Sequence, residues 1–214
     1  MKHDHNIYQI NVHEPEPDLV FAACRVIKAG GVVVFPATTL YGLAADAFNR
    51  KAVEKIRCMK NRSVQKPILL LVRNSDSVTA LTEEIPHQAV LLMAKFWPGM
   101  VTLVLKAAAT VPDYLTSGTG KIGVRVPAHP VARALVSGLD NPITGTSANL
   151  SGQPGRDIIT GLNETLVEPP DLILDAGRLK GGMGSTVVDV TVTPARILRE
   201  GTISSDLILT ALNQ

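Results

Sequence analysis

The chain has 214 residues, of which 45% are hydrophobic and 19% charged, with a formal net charge of +2. That is enough apolar material to bury a core and suits one α/β domain, while a balance so near neutral argues against nucleic-acid binding by bulk charge and leaves small anionic ligands compatible. Only 4% of residues are aromatic while Val, Leu, Ile and Ala abound, a composition typical of sheets covered by helices rather than of a β-sandwich.

The opening MKHDHNIYQINVHEPEP has no positively charged head followed by an apolar core, and no later segment approaches the roughly 18 apolar residues of a membrane span. A cytoplasmic protein without membrane contact is expected, with His3, Asp4 and His5 in a mobile tail. DLVFAACRVIKAGG then shows helical spacing stopped by Gly30 and Gly31, VVVFP reads as a short buried strand, and ATTLYGLA as a loop. A helix over 51 to 59, a strand over 67 to 72, a helix over 87 to 96 and a strand over 101 to 105 continue the alternation. IGVRVP, the helix PVARALVSGL and NPITGT repeat it, and ITGLNETLV, DLILDAG, STVVDV, ARILRE and a helix near 205 to 212 finish the chain. Strands lie close together in the third quarter and at the end. This predicts a single domain over 1 to 214 built on one mixed sheet flanked by helices, with edge hairpins near the C-terminus.

Loops at the strand ends, over 36 to 43, 60 to 67, 118 to 121, 145 to 156 and 181 to 186, supply the candidate site. Lys60 and Arg62 stand where a helical period gives out before Lys66-Pro67, and Ser147 and Asn149 follow an apolar run. Together they suggest one anion-binding site, although a solvated helix end and ordinary turn residues would read the same way. Lys66, Lys121, Arg125 and Arg199 also sit where loops meet strands. Arg125 interrupts an apolar strand, so it must be paired, with Asp189 or Asp175 as available partners, or point into a cleft.

Other signals are weaker. GTGKIG at 118 to 123 has the spacing of a dinucleotide fingerprint but opens a strand rather than a helix. GGMGST at 181 to 186 lacks the ending of a P-loop and reads either as an anion nest or as a plain turn. Trp97-Pro98-Gly99 reads as a structural chain reversal. His13, His87 and His129 stand alone, and neither a hydrolase elbow nor a zinc-protease motif is present. No metal site built from protein ligands is expected. Cys24 and Cys58 both fall in predicted helices, which predicts buried free thiols rather than a disulfide.

With these residues in place, the sequence resembles the YrdC-like family, and within it the threonylcarbamoyl-AMP synthases. The match rests on PATTLYGL, KNR with KP, WPGMVTLVL, IGVRVP, TSANLSG, STVVD and ILREG, in the family's order. The resemblance implies a twisted α/β sheet around a large, concave, positively lined cavity. It also implies ATP-dependent condensation of L-threonine with bicarbonate to threonylcarbamoyl-adenylate and pyrophosphate, with Mg2+ carried on ATP. The product would pass to a separate tRNA threonylcarbamoyltransferase.

Carried over by position, Thr39, Arg125 and Ser185 resemble threonine-binding residues, while Arg62, Lys66, Lys121, Ser147 and Arg199 resemble nucleotide and phosphate contacts. Lys60 and Asn149 complete a catalytic set with Arg62 and Ser147 that would orient the reacting carbamate and phosphates. The chain departs from the family pattern at Ala37 and Thr38, where relatives carry a hydroxyl and a carboxylate. It departs again at Leu71, where some place a histidine, and at Gly155, which replaces a hydroxyl residue. Two alternatives stay open: a carbamoyl-adenylate-forming domain, and an RNA-binding module with weak affinity for a phosphate backbone.

Overall fold

In the strand β2 (Val33–Pro36), Val33 and Phe35 face one hydrophobic cluster and Val34 another, as the two-residue period of an extended chain requires. A computed structural model describes residues 6–213 of this chain, so the proposed His3-Asp4-His5 tail lies outside the described residues. β2 belongs to a five-stranded sheet ordered β1 (Ile7–Gln9), β9 (Leu172–Asp175), β2, β3 (Tyr41–Ala44), β8 (Thr146–Ser147). One face of this sheet packs on α1 (Pro17–Lys28) and α5 (Pro130–Ser137) through Ile27, Leu135 and Leu174. The other face packs on α2 (Arg50–Met59) and α6 (Leu162–Thr165) through Ile56, Met59 and Leu162.

A second sheet has six strands, in the order β11 (Arg196–Arg199), β10 (Thr186–Asp189), β5 (Val101–Lys106), β6 (Lys121–Arg125), β4 (Leu70–Leu71), β7 (Ile143–Thr144). Val101, Leu103 and Leu105 of β5, with Ile122 and Val124 of β6, pack on α3 (His87–Phe96) and α7 (Ser205–Leu212). The intervening residues Thr102 and Val104, and Gly123 and Arg125, face a cavity instead. The short α4 (Asp113–Thr116) precedes β6.

Parallel and antiparallel pairings mix in both sheets, and the C-terminal edge is the antiparallel pair β10 and β11. The expected helices over 87 to 96 and 205 to 212 are present with those bounds. The expected single sheet is instead two. The chain crosses between them three times, most abruptly between β7 and β8, at Gly145, where a Cβ would stand 2.5 Å from Leu69. Contrary to the loop reading of ATTLYGLA, Tyr41–Ala44 is a strand. Its Gly42 mimics a turn signal but is small because the Phe35 ring lies 2.8 Å from where a Cβ would be. The strand expected over 67 to 72 contracts to Leu70–Leu71. Cys24 is buried as expected, whereas Cys58 is exposed because it lies on the outer face of α2.

Candidate active site

A cavity of about 800 Å³ opens between the two sheets. Its floor is the face of the second sheet left uncovered by helices: Thr102 from β5, Lys121 and Arg125 from β6, and Val187 and Asp189 from β10. The opposite wall is the loop between β2 and β3, with Thr38, Thr39 and Leu40. Among the described residues, five cationic side chains reach the lining, Arg62, Lys121, Arg125, Arg196 and Arg199, against one carboxylate, Asp189.

Arg125 is 9% exposed, and no carboxylate among the described residues neutralises it. Its Nη1 contacts the Met100 sulfur at 3.3 Å, and its Nε has no partner. Burial, then the nearby Arg199 charge, lowers its pKa to about 10. Neither aspartate suggested by the sequence pairs with it. Asp189 accepts from Lys121 Nζ at 3.0 Å and from Thr191, and Asp175 accepts from Gln9 and Tyr41. Burial alone would raise the Asp189 carboxyl, but the bonds from Thr191 and Lys121 outweigh it and hold it below its ordinary value.

Lys60 and Arg62 diverge because α2 ends in a Schellman motif. Asn61 adopts a left-handed conformation (φ 46°), with its N–H donating to Cys58 O at 3.0 Å and that of Arg62 to Arg57 O at 2.8 Å. Arg62 turns onto the cavity wall, where Nη2 donates to Pro67 O at 2.7 Å and Nε is buried without a partner. Burial, with Arg57 and Arg199, lowers its pKa. Lys60 turns inward and is 2% exposed. Its ammonium donates to the carbonyls of Ser147 and Asn149 and to Asn149 Oδ1, while its own carbonyl accepts from Ser151 N at 2.8 Å. Burial, then the Arg62 charge, brings its pKa down to about 7.

Asn149 is buried too, accepting from Ser147 Oγ and donating to the carbonyls of Leu150 and Gln153 at 2.7 Å. The structure therefore brings Lys60, Ser147 and Asn149 together. Ser147 is on the cavity wall, whereas Lys60 and Asn149 stand behind it and hold the loop. Lys66 is exposed and off the wall, its carbonyl accepting from Arg57 Nη1 at 3.1 Å.

Thr39 lines the cavity and donates to Met183 O at 3.1 Å, and Gly181 N donates to Thr39 O at 2.9 Å. Ser185 Oγ lies 2.7 Å from Thr102 Oγ1, and Arg199 Nη2 donates to Ser185 O at 2.8 Å. Gly182 and Gly184 of the glycine-rich segment are on the wall, Gly184 beside Arg199. Ala37 and Thr38 reach the lining without supplying a carboxylate. Leu71 lies in the core, and Leu69 faces the cavity in its stead. At Gly155 a Cβ would stand 2.5 Å from Leu40, so Leu40 fills the space of the missing side chain.

Arg57, Met100, Thr102 and Arg196 also belong to the site or its support without standing out in the sequence. Arg57 is 7% exposed and donates to the carbonyls of Ser63, Lys66 and Tyr114, fixing the loop that carries Arg62. Its place inside a helix gave no motif. Met100 and Thr102 could have been flagged by the alternation MVTLV, which leaves both on one strand face. Among the described residues no helix is long and apolar enough to cross a membrane.

Residues 25–201 match the Sua5/YciO/YrdC family, described as telomere recombination. The chain is 36% identical over 193 residues to a threonylcarbamoyl-AMP synthase of Pyrococcus abyssi, covering 90% of this chain and 57% of that relative's length. It is 35% identical over 193 residues to a putative threonylcarbamoyl-AMP synthase of Mycobacterium tuberculosis strain H37Rv, covering 90% and 88%. The crystal structure of Pyrococcus abyssi Sua5 complexed with L-threonine superposes with a TM-score of 0.90 at 33% identity, over 96% of this chain and 60% of that one.

Proposed function

The chain belongs to the Sua5/YciO/YrdC family, and on that premise we propose that it is an L-threonylcarbamoyladenylate synthase, condensing L-threonine, bicarbonate and ATP into threonylcarbamoyl-AMP and pyrophosphate. The observation that carries this reading is the trio Arg62, Arg125 and Arg199, which line one cavity of about 800 Å³ with no carboxylate among the described residues paired to any of them. Cations held without counter-charge in a partly dry site are poised for anionic ligands. The space falls within the range of small-molecule sites.

The chemistry asks for positioning and charge neutralisation rather than a covalent nucleophile. The threonine amine and bicarbonate give a carbamate and water. A carbamate oxygen then attacks the α-phosphorus, and pyrophosphate leaves with the electrons of the broken P–O bond. Arg125 grips the threonine carboxylate by its planar fork, and Thr39 and Ser185 from the same cavity lining face its polar groups. Arg62, Lys121, Ser147 and Arg199 face the nucleotide phosphates. Lys60 and Asn149 act on the reaction by fixing Ser147 and its loop.

Magnesium enters as part of the ATP substrate. The carboxylate on the wall, Asp189, already has Lys121 on one oxygen and Thr191 on the other, which suits a metal carried on the triphosphate. The product is a mixed anhydride that a tRNA threonylcarbamoyltransferase would consume at an adenosine.

The test is mass-spectrometric detection of threonylcarbamoyl-adenylate after mixing protein, ATP, magnesium, threonine and bicarbonate. Pyrophosphate release should require threonine and bicarbonate together. Equal release with threonine alone in bicarbonate-free buffer would mean ordinary amino-acid adenylation, and efficient use of carbamoyl phosphate would mean carbamoyl transfer.

A further inference from the structure

Thr102 is 1% exposed in the middle of β5, between β6 on one side and β10 on the other. Its methyl group leans toward β6, where Cγ2 lies 3.4 Å from the position a Cβ on Gly123 would take. Its hydroxyl faces β10 and meets Ser185 Oγ at 2.7 Å. The β-branched side chain is thereby held in one rotamer. Either oxygen could be the donor in this pair, and the surroundings decide between them. Arg125 and Arg199 make this part of the cavity cationic. The ligand group that belongs there is an anion, which accepts hydrogen bonds and does not donate them. Ser185 has one proton, so with the pair intact it can donate to an anion only when Thr102 is the donor within the pair.

We propose that Thr102 is a positioning residue, whose hydroxyl donates to Ser185 Oγ and so turns the Ser185 proton toward the carboxylate of the amino-acid substrate. The chain Thr102 O–H to Ser185 O–H to carboxylate polarises along its length, so each bond strengthens the next. The assignment rests on the threonine-binding reading of Ser185.

The experiment compares Thr102→Val, which keeps shape and removes the hydroxyl, with Thr102→Ser, which keeps the hydroxyl. Steady-state assays give the KM for threonine and for ATP, and calorimetry gives threonine binding without ATP. Thr102→Val should weaken threonine binding and raise its KM by about fivefold, the worth of one neutral hydrogen bond. The ATP KM should stay put, and Thr102→Ser should restore the wild-type value. In a Ser185→Ala background, Thr102→Val should add nothing. Should Thr102→Val not fold, Thr102→Ala takes its place in the same comparison. Unchanged threonine affinity, an equal loss for threonine and ATP, or a Thr102→Ser variant as weak as Thr102→Val would each overturn the proposal. If the wild-type protein binds no threonine, the functional reading falls and the proposal with it. If the wild type binds and Thr102→Val binds equally well, only the role of Thr102 is lost.

Discussion

The Arg125 guanidinium is buried with a thioether sulfur at 3.3 Å and no carboxylate, an arrangement that is unfavourable until an anion arrives. Arg125→Lys keeps the charge but loses the fork, so steady-state kinetics should show the threonine KM rising more than the ATP KM. Serine lacks one methyl group of threonine, and an apolar contact of that size gives discrimination of roughly 10- to 200-fold in kcat/KM. A variant that moves only the ATP KM, or a wild type equally active on serine, would reassign the amino-acid pocket. Lys60 makes a different prediction. Burial and Arg62 lower its pKa from 10.5 to about 7 in the folded protein. Between those values the unfolded chain holds a proton that the folded chain has lost. This group therefore makes stability rise with pH across that window, by up to about 1.4 kcal/mol per pH unit, and contributes no slope below it. Urea unfolding at several alkaline pH values should show that slope in the wild type and its loss in Lys60→Met. Equal slopes in both would mean that the Lys60 amine keeps its proton.

At the scale of elements, the site depends on where strands stop and what packs behind them. β11 ends at Arg199, and two residues on, a Cβ at Gly201 would stand 2.3 Å from Gly184 O and 2.5 Å from the Ser185 carbonyl carbon. Backbone cannot yield as a flexible side chain does. Gly201→Ala should therefore push the end of β11 away from the wall and destabilise the protein by about 1 to 3 kcal/mol, read as a lower Tm together with weaker nucleotide binding. A Tm equal to wild type would show that this turn has slack.

HQAVLLMAKF was legible in the sequence because burial on one helix face imposes a period, and VVVFP because an unbroken apolar run suits a strand buried on both faces. The two-residue strands β4 and β7 fell inside the longer strands expected at 67 to 72 and NPITGT, whereas β8 lies in the stretch read as loop, since so short a pairing carries no period and is held by its neighbours. Lys60 and Arg62 were legible as a pair, but their opposite directions were not. That divergence comes from the left-handed turn at Asn61, which becomes visible once the hydrogen bonds are known.

Across the whole molecule, division into two sheets creates the cavity. In one sheet helices cover both faces, and in the other one face is left to hold charge. Strand alternation predicts the two faces of each strand, but not which strands join which sheet, because that depends on pairings between residues as distant as Gly42 and Ser147. Of the chain's three passages between the sheets, the tightest is the single residue Gly145 between β7 and β8. Across the cavity the sheets meet again at the Thr39 loop, which holds the segment before β10 through Gly181 N and Met183 O. The first junction is a hinge pin and the second a latch. Opening of the cavity should therefore be felt at the latch first. In hydrogen exchange the Gly181 amide should exchange faster than amides of the β5 and β6 ladder, and bound threonine should slow it. An amide at Gly181 as protected as those strands would mean that the cleft fills and empties without parting its walls, as a bottle does rather than a clasp.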